Sequence, residues 1–301
     1  TLKMRLKLTT FRKSLFMLSA AAVLTSGCGN DAAKDGEELP EVDSTQTTIV
    51  NINGEIFSIP SPIQTAFLIK NSGANYQKEI LNTPSKSSQY TTNFAKALNL
   101  GIYGADLGYV TMYDQTQDAI GFMNSAKKLA GDLNITGAFD NATLERFQKN
   151  LGNKDSMLVL TSVAYRTVDS YLKTNDRNDI SGLVLAGGWI ESLYFATNVY
   201  KVKQDEFVKR RIAEQKSSLQ SLIKLLTQYY SQPEYTEFVD ALNDLSTVFD
   251  GVTFKYIYEK PTTDPDKKLT TINSKSEVTI SAEQIESISQ KIKTIRTGIV
   301  R

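Results

Sequence analysis

Five isoleucines, Ile285, Ile288, Ile292, Ile295 and Ile299, recur at spacings of three and four residues near the end of the chain. Such spacing gathers apolar groups on one side of a 3.6-residue helix, and that side must then be buried against another element. Upstream, Tyr235, Phe238, Leu242, Leu245 and Phe249 repeat the pattern. Val208, Ile212, Leu219, Leu222, Leu226 and Tyr229 form a further seam, interrupted only by Gln215. Boundary chemistry agrees with these helices. Ser281 and Gln284 have the spacing of a capping box, and Gly251 ends the helix before it.

The same reading extends towards the N-terminus. Ser61-Pro62 supplies an N-cap and a first-turn proline for a helix over 62–71. Helices are expected over about 89–114, 116–133, 155–174 and 179–201. Asp140 reads as the N-cap of another, ending near Leu151 with Gly152 beyond it. "VTFKYIY", Val252 to Tyr258, alternates and is rich in β-branched and aromatic residues, so it reads as a strand. Leu269–Ile272 or Val278–Ile280 would pair with it, and Asn53-Gly54 would turn a second, earlier hairpin. The predicted fold class is therefore mainly α: an antiparallel helical bundle with a small β-hairpin element near the C-terminal end.

Composition removes several chemistries. The 301 residues contain no histidine and one cysteine. Ser-His-Asp and Cys-His catalysis, histidine-ligated zinc and the Glu-x-x-His di-iron pattern are thereby excluded. An intramolecular disulfide is impossible. No P-loop or GxGxxG motif is present, and no basic cluster marks a nucleic-acid surface. No cofactor or metal is expected.

Residues 1–13 carry Lys3, Arg5, Lys7, Arg12 and Lys13 with no acid, and Ser14 to Leu24, "SLFMLSAAAVL", is uncharged and apolar. This is the grammar of a secretory signal peptide, and the run is shorter than the ~20 residues a membrane span requires. Thr25-Ser26-Gly27-Cys28 follows, and it resembles the lipobox of a bacterial (Gram-negative envelope) lipoprotein, with Thr25 where leucine is usual. The resemblance covers about the first 28 residues. It implies cleavage before Cys28 and acylation of that thiol, with each buried CH₂ contributing about 0.8 kcal/mol to anchoring. Asp31, Asp35, Glu37, Glu38, Glu41 and Asp43 then read as a solvated acidic tether. Taking the five basic residues from 34 Lys+Arg leaves 29 against 33 Asp+Glu, a formal balance of −4. Asp43-Ser44-Thr45 resembles an O-glycosylation acceptor of some bacterial envelope proteins. The expected organisation is a signal over 1–27, a tether over 28–46 and one helical domain over 47–301.

Two features within the helices invite a site. On "ALNLGIYGADLGYVTMYDQTQ", Ala97, Gly101, Gly104 and Gly108 fall within roughly ±30° of one direction. Gly182, Ala186 and Gly187 offer a matching small patch for close backbone approach. On the opposite side lie Asn99, Asp106, Tyr113 and Gln117, flanked by Tyr103 and Tyr109. That stripe is either a polar-aromatic pocket wall for a small ligand or a hydrogen-bonded seam between helices. Glu191 is the single charge between Ile180 and Tyr200. A buried carboxylate needs a partner, and Arg166, Asp169 and Lys173 are the candidates, with Glu191–Arg166 as the expected register-holding pair. "DLNITGAFDNAT", Asp132 to Thr143, matches several EF-hand positions, but Thr143 stands where the bidentate glutamate belongs.

The expectation from these residues is a non-enzymatic binding or scaffold protein. Its membrane contact is an N-terminal lipid anchor at the outer membrane, facing the periplasm or the cell surface. Its partner is an envelope protein or a surface glycan. The alternative is a small-ligand receptor using Asp106, Tyr109, Tyr113, Gln117 and Glu191. A hydrolase using carboxylates alone ranks behind both.

Overall fold

Polar side chains at the helix ends set the element boundaries, and those boundaries decide which residues meet. A computed structural model describes residues 47–52, 55–266 and 268–301. The signal, Cys28, the acidic tether, Asp43-Ser44-Thr45 and the Asn53-Gly54 turn lie outside the described residues. Strands β1 (Thr47–Ile52) and β2 (Glu55–Pro60) pair antiparallel, with Ile52 opposite Glu55. Helix α1 (Pro62–Asn71) starts on Ser61, whose hydroxyl accepts from the Ile63 N–H at 3.3 Å. Two short 3₁₀ turns then lead to α2 (Asn93–Met112), capped by Thr92.

Asp114 takes a left-handed conformation, φ 58°, and turns the chain into α3 (Thr116–Asp132). Asn134 and Asp176 do the same after α3 and α5. These residue types tolerate that conformation because a short polar side chain bonds locally. Asp140 caps α4 (Asn141–Lys149) by accepting from the Thr143 N–H at 2.7 Å. Asn153 caps α5 (Lys154–Thr174) in the same way. Then follow α6 (Asn178–Lys203), α7 (Glu206–Thr227) and α8 (Pro233–Phe249). The last helix, α9 (Ala282–Val300), begins on the Ser281–Gln284 capping box read from the sequence.

The architecture is mainly α, with a small antiparallel β element before α9. Helix α6 is its centre, in contact with α1, α2, α5, α7 and α9. It alone, among the described residues, is long and apolar enough to cross a membrane, and other helices cover nearly all of its surface. The small patches meet in part: Gly101 and Gly187 face the opposing helix, while Gly104 faces Tyr165, Gly108 Ile63 and Gly182 the Leu225 and Leu226 side chains of α7. A Cβ on Gly101 would land on the Val184 carbonyl, and one on Gly187 on the Leu98 carbonyl. Helices α2 and α6 therefore cross with their backbones in contact, and the Tyr165 hydroxyl closes the crossing by donating to the Gly101 carbonyl at 2.6 Å.

The seam of α7 is continuous after all. Gln215 is buried, and its side-chain carbonyl accepts from the indole N–H of Trp189 at 2.9 Å. A buried indole N–H needs such an acceptor. Between α8 and α9 the chain makes a long interrupted hairpin. Strands β3 (Thr253–Ile257) and β6 (Lys275–Thr279) pair near the bundle, and β4 (Thr262–Asp264) and β5 (Leu269–Thr271) pair towards the tip. The Lys216 ammonium ties its base to α7, donating to the carbonyls of Asp250 and Val252.

Candidate functional site

Three helices bring charge to the centre of the bundle. Helix α2 contributes Asp106, α6 Glu191 and α9 Arg296; the two carboxyls are fully buried and Arg296 is 8 % exposed. Arg296 grips Glu191 with two parallel bonds, Nε to Oε2 at 2.5 Å and an Nη to Oε1 at 2.6 Å. The same terminal nitrogen donates to the Ile80 carbonyl at 3.0 Å, and the guanidinium stacks 4.4 Å from the Tyr194 ring centroid. This fork geometry is what arginine provides and lysine does not.

The expected Glu191–Arg166 pair gives way to this one. Arg166 lies on the exposed side of α5, while the buried side of that helix turns Tyr165 towards the α2–α6 crossing. The other two candidates partner each other: Asp169 accepts from Lys173 at 2.6 Å and from the Ser181 hydroxyl at 2.5 Å. Arg296 escaped the sequence because a strict seven-residue repeat selects Ile295 and Ile299. A straight helix advances 100° per residue, so position 296 lies 40° from Ile292. The buried stripe of α9 accordingly runs Ile285, Ile288, Ile292, Arg296, Val300.

Among the described residues, no side chain within hydrogen-bonding distance donates to either Asp106 oxygen, and the Asn82 backbone N–H is the donor that favours its charged form. An ionised carboxylate accepts only, so it cannot bond to Glu191 unless one of the two carries a proton. Burial pushes the Asp106 carboxyl well up, the Glu191 charge adds to the push, and Arg296 opposes it. Burial also pushes Glu191 up, against Arg296 and the hydrogen bond with Asp106. Both oxygens of Glu191 are engaged by Arg296, which favours its charged form, while burial and that charge favour the neutral form of Asp106.

The remaining stripe residues separate. Asn99 donates to the carbonyls of Ala95 and Ile299, both at 3.0 Å, and accepts from Asn82 at 3.3 Å. Asn82 also donates to the Tyr90 hydroxyl, and the Tyr103 hydroxyl donates to the Thr83 carbonyl. Tyr109 and Tyr113 pin a different segment: the Tyr109 hydroxyl accepts from the Gln77 N–H, and that of Tyr113 donates to the Ala74 carbonyl. Gln117 is exposed in the first turn of α3. The expected stripe carried it on one continuous helix, and the turn at Asp114 breaks that continuity.

Asp106 and Glu191 are thus brought together, with Tyr109 and Tyr113 further along α2 and Gln117 outside the cluster. The cluster is packed and closed to solvent. The 132–143 segment is a helix connection: Asp132 pairs with Lys128 at 2.7 Å and Asp140 is engaged as a cap.

The hairpin presents the opposite situation. Phe254, Tyr256 and Tyr258 alternate along β3 and its extension, and period-2 alternation places them on one face. They are 48 %, 66 % and 69 % exposed, and Ile272 near the tip is 77 % exposed. Phe254 lies at the base, beside Glu214 and Ser217 of α7. Among the described residues, β3 pairs with β6 and has no neighbour on its other edge. Compared with known proteins, the chain matches no protein-family model, no curated protein and no solved structure.

Proposed function

We propose that this chain is a non-enzymatic binding module, held at an envelope membrane through an acylated Cys28, whose hairpin arm docks an envelope protein. One observation carries the reading: Phe254 and Tyr256 on β3 and Tyr258 just beyond it, at alternate positions, are all exposed. Large aromatics leave water readily and anchor interfaces, and a strand with an open edge accepts a partner strand by main-chain pairing. Cys28 has the lipobox resemblance behind it, and an acidic run follows it in the sequence.

A receptor built on Asp106, or a hydrolase using Asp106 and Glu191, needs a path for its ligand, and both carboxyls are fully buried. Their separation from solvent favours the binding module.

The test is photo-crosslinking of the full chain in its own envelope, with a benzophenone side chain in place of Tyr256. The expected result is one discrete protein adduct, lost on Tyr258→Ser. No adduct overturns the reading, and a carbohydrate adduct reassigns the arm to a glycan. Cys28→Ser is expected to release the protein into the soluble fraction, and retention on the membrane would overturn the anchor.

A further inference from the structure

On the opposite side of α2 from the acid pair, helices α2 to α6 leave an apolar cleft of about 170 Å³. An engineered apolar cavity of about 150 Å³ takes up benzene, so this cleft has room for the body of a small ligand. Small side chains create it: Ala126 and Ala130 on α3 and Ala164 on α5 stand where larger residues would fill the space. Its floor is fixed by Gly104, since a Cβ there would run into the Tyr165 ring.

Two of the wall hydroxyls are already committed. The Tyr165 hydroxyl is committed to the Gly101 carbonyl and the Thr161 hydroxyl to the Met157 carbonyl at 2.7 Å. The mouth differs. Lys127, an exposed cation on α3, borders the cleft together with Asn124 and Gln148, and none of the three has a hydrogen-bond or ion-pair partner among the described residues. The other exposed lysine of this stretch of α3, Lys128, is paired with Asp132.

We infer that this cleft binds a small amphiphile, an alkyl or single-ring body seated between α3 and α5 with an anionic head at Lys127. Apolar burial supplies the affinity, and the lone cation selects the charged form over its neutral counterpart. The site is separate from the hairpin arm and stands or falls without it.

Methyl NMR on the full chain tests this, with labelled methionine methyls and octanoate or octanol as probe. Met123 lines the cleft, so its methyl signal is expected to shift saturably with octanoate. Lys127→Gln is expected to weaken octanoate by about three- to five-fold, the scale of an exposed ion pair, and to leave octanol unchanged. Ala164→Phe fills the cleft and is expected to abolish the shift with either probe. Should that variant not fold, Ala126→Leu is expected to do the same. A silent Met123 methyl, or a shift that neither filling variant alters, overturns the site. Equal weakening of octanoate and octanol by Lys127→Gln overturns the anionic head.

Discussion

The centre of the bundle and the hairpin arm each invert the usual partition of side chains. Asp106, Glu191 and Arg296 hold charge-bearing groups where water does not reach, and Phe254, Tyr256 and Tyr258 hold aromatic surface where water is everywhere. Buried charge is tolerated only when paired and bonded, and the centre meets that condition: each of its charges is answered by another within the protein. Among the described residues the aromatic row has no such answer. A local inconsistency satisfied internally belongs to the fold, while one left open at the surface points outward to a partner.

Removing one member of the central cluster makes the sharpest test of this contrast. Arg296→Met leaves Glu191 buried without its cation, and a loss of about 3–5 kcal/mol in urea unfolding is expected. A loss under 1 kcal/mol would mean that the centre is not held by that pair. Gly187→Ala drives a methyl group into the Leu98 carbonyl across the α2–α6 crossing. Overpacking of this kind costs about 1–3 kcal/mol, and a thermal melt unchanged from the parent would break the account of the crossing.

Asp106→Asn replaces a carboxyl that burial pushes well up by an amide that stays neutral at every pH. In the parent, the native state keeps a proton that the unfolded chain releases above about pH 4. Stability therefore falls as pH rises from that value towards the raised native one, by at most about 1.4 kcal/mol per pH unit. The amide variant does not carry that loss, so its advantage should widen with pH over the window. Parallel stability profiles for the two proteins would place the proton elsewhere. The smallest effect belongs to the arm. Tyr256→Ser with Tyr258→Ser should change stability by no more than about 0.5 kcal/mol while removing the crosslinked partner. A large destabilisation would make the arm part of the core.

Much of this was legible beforehand, for particular physical reasons. Helix boundaries at Ser61, Asp140 and Ser281 rest on cap bonds between residues two or three apart. The glycine patches that let α2 and α6 touch follow from 100° per residue on each helix. That Glu191 needs a partner follows from the apolar run around it. Which partner does not, because 105 residues separate Glu191 from Arg296 and neither flank hints at the other. Asp106 stood out for its place on a stripe, but its proton depends on Glu191, which reaches it from another helix. Gln117 was misplaced because one left-handed residue, Asp114, ends the helix that would have carried it into the stripe.

By itself the sequence determined what short-range chemistry controls: the helical character, the caps, the alternation of β3 and the exclusion of histidine chemistry from these residues. Tertiary structure alone decided that Arg296 closes on Glu191, that Gln215 serves Trp189, and that α3 to α5 leave a cleft beside Lys127. Cap bonds and helical periodicity act over a few residues and repeat, so a linear pattern records them. Pairing and voids depend on how separate helices rotate and settle against each other, and the packing of the whole bundle sets those degrees of freedom at once.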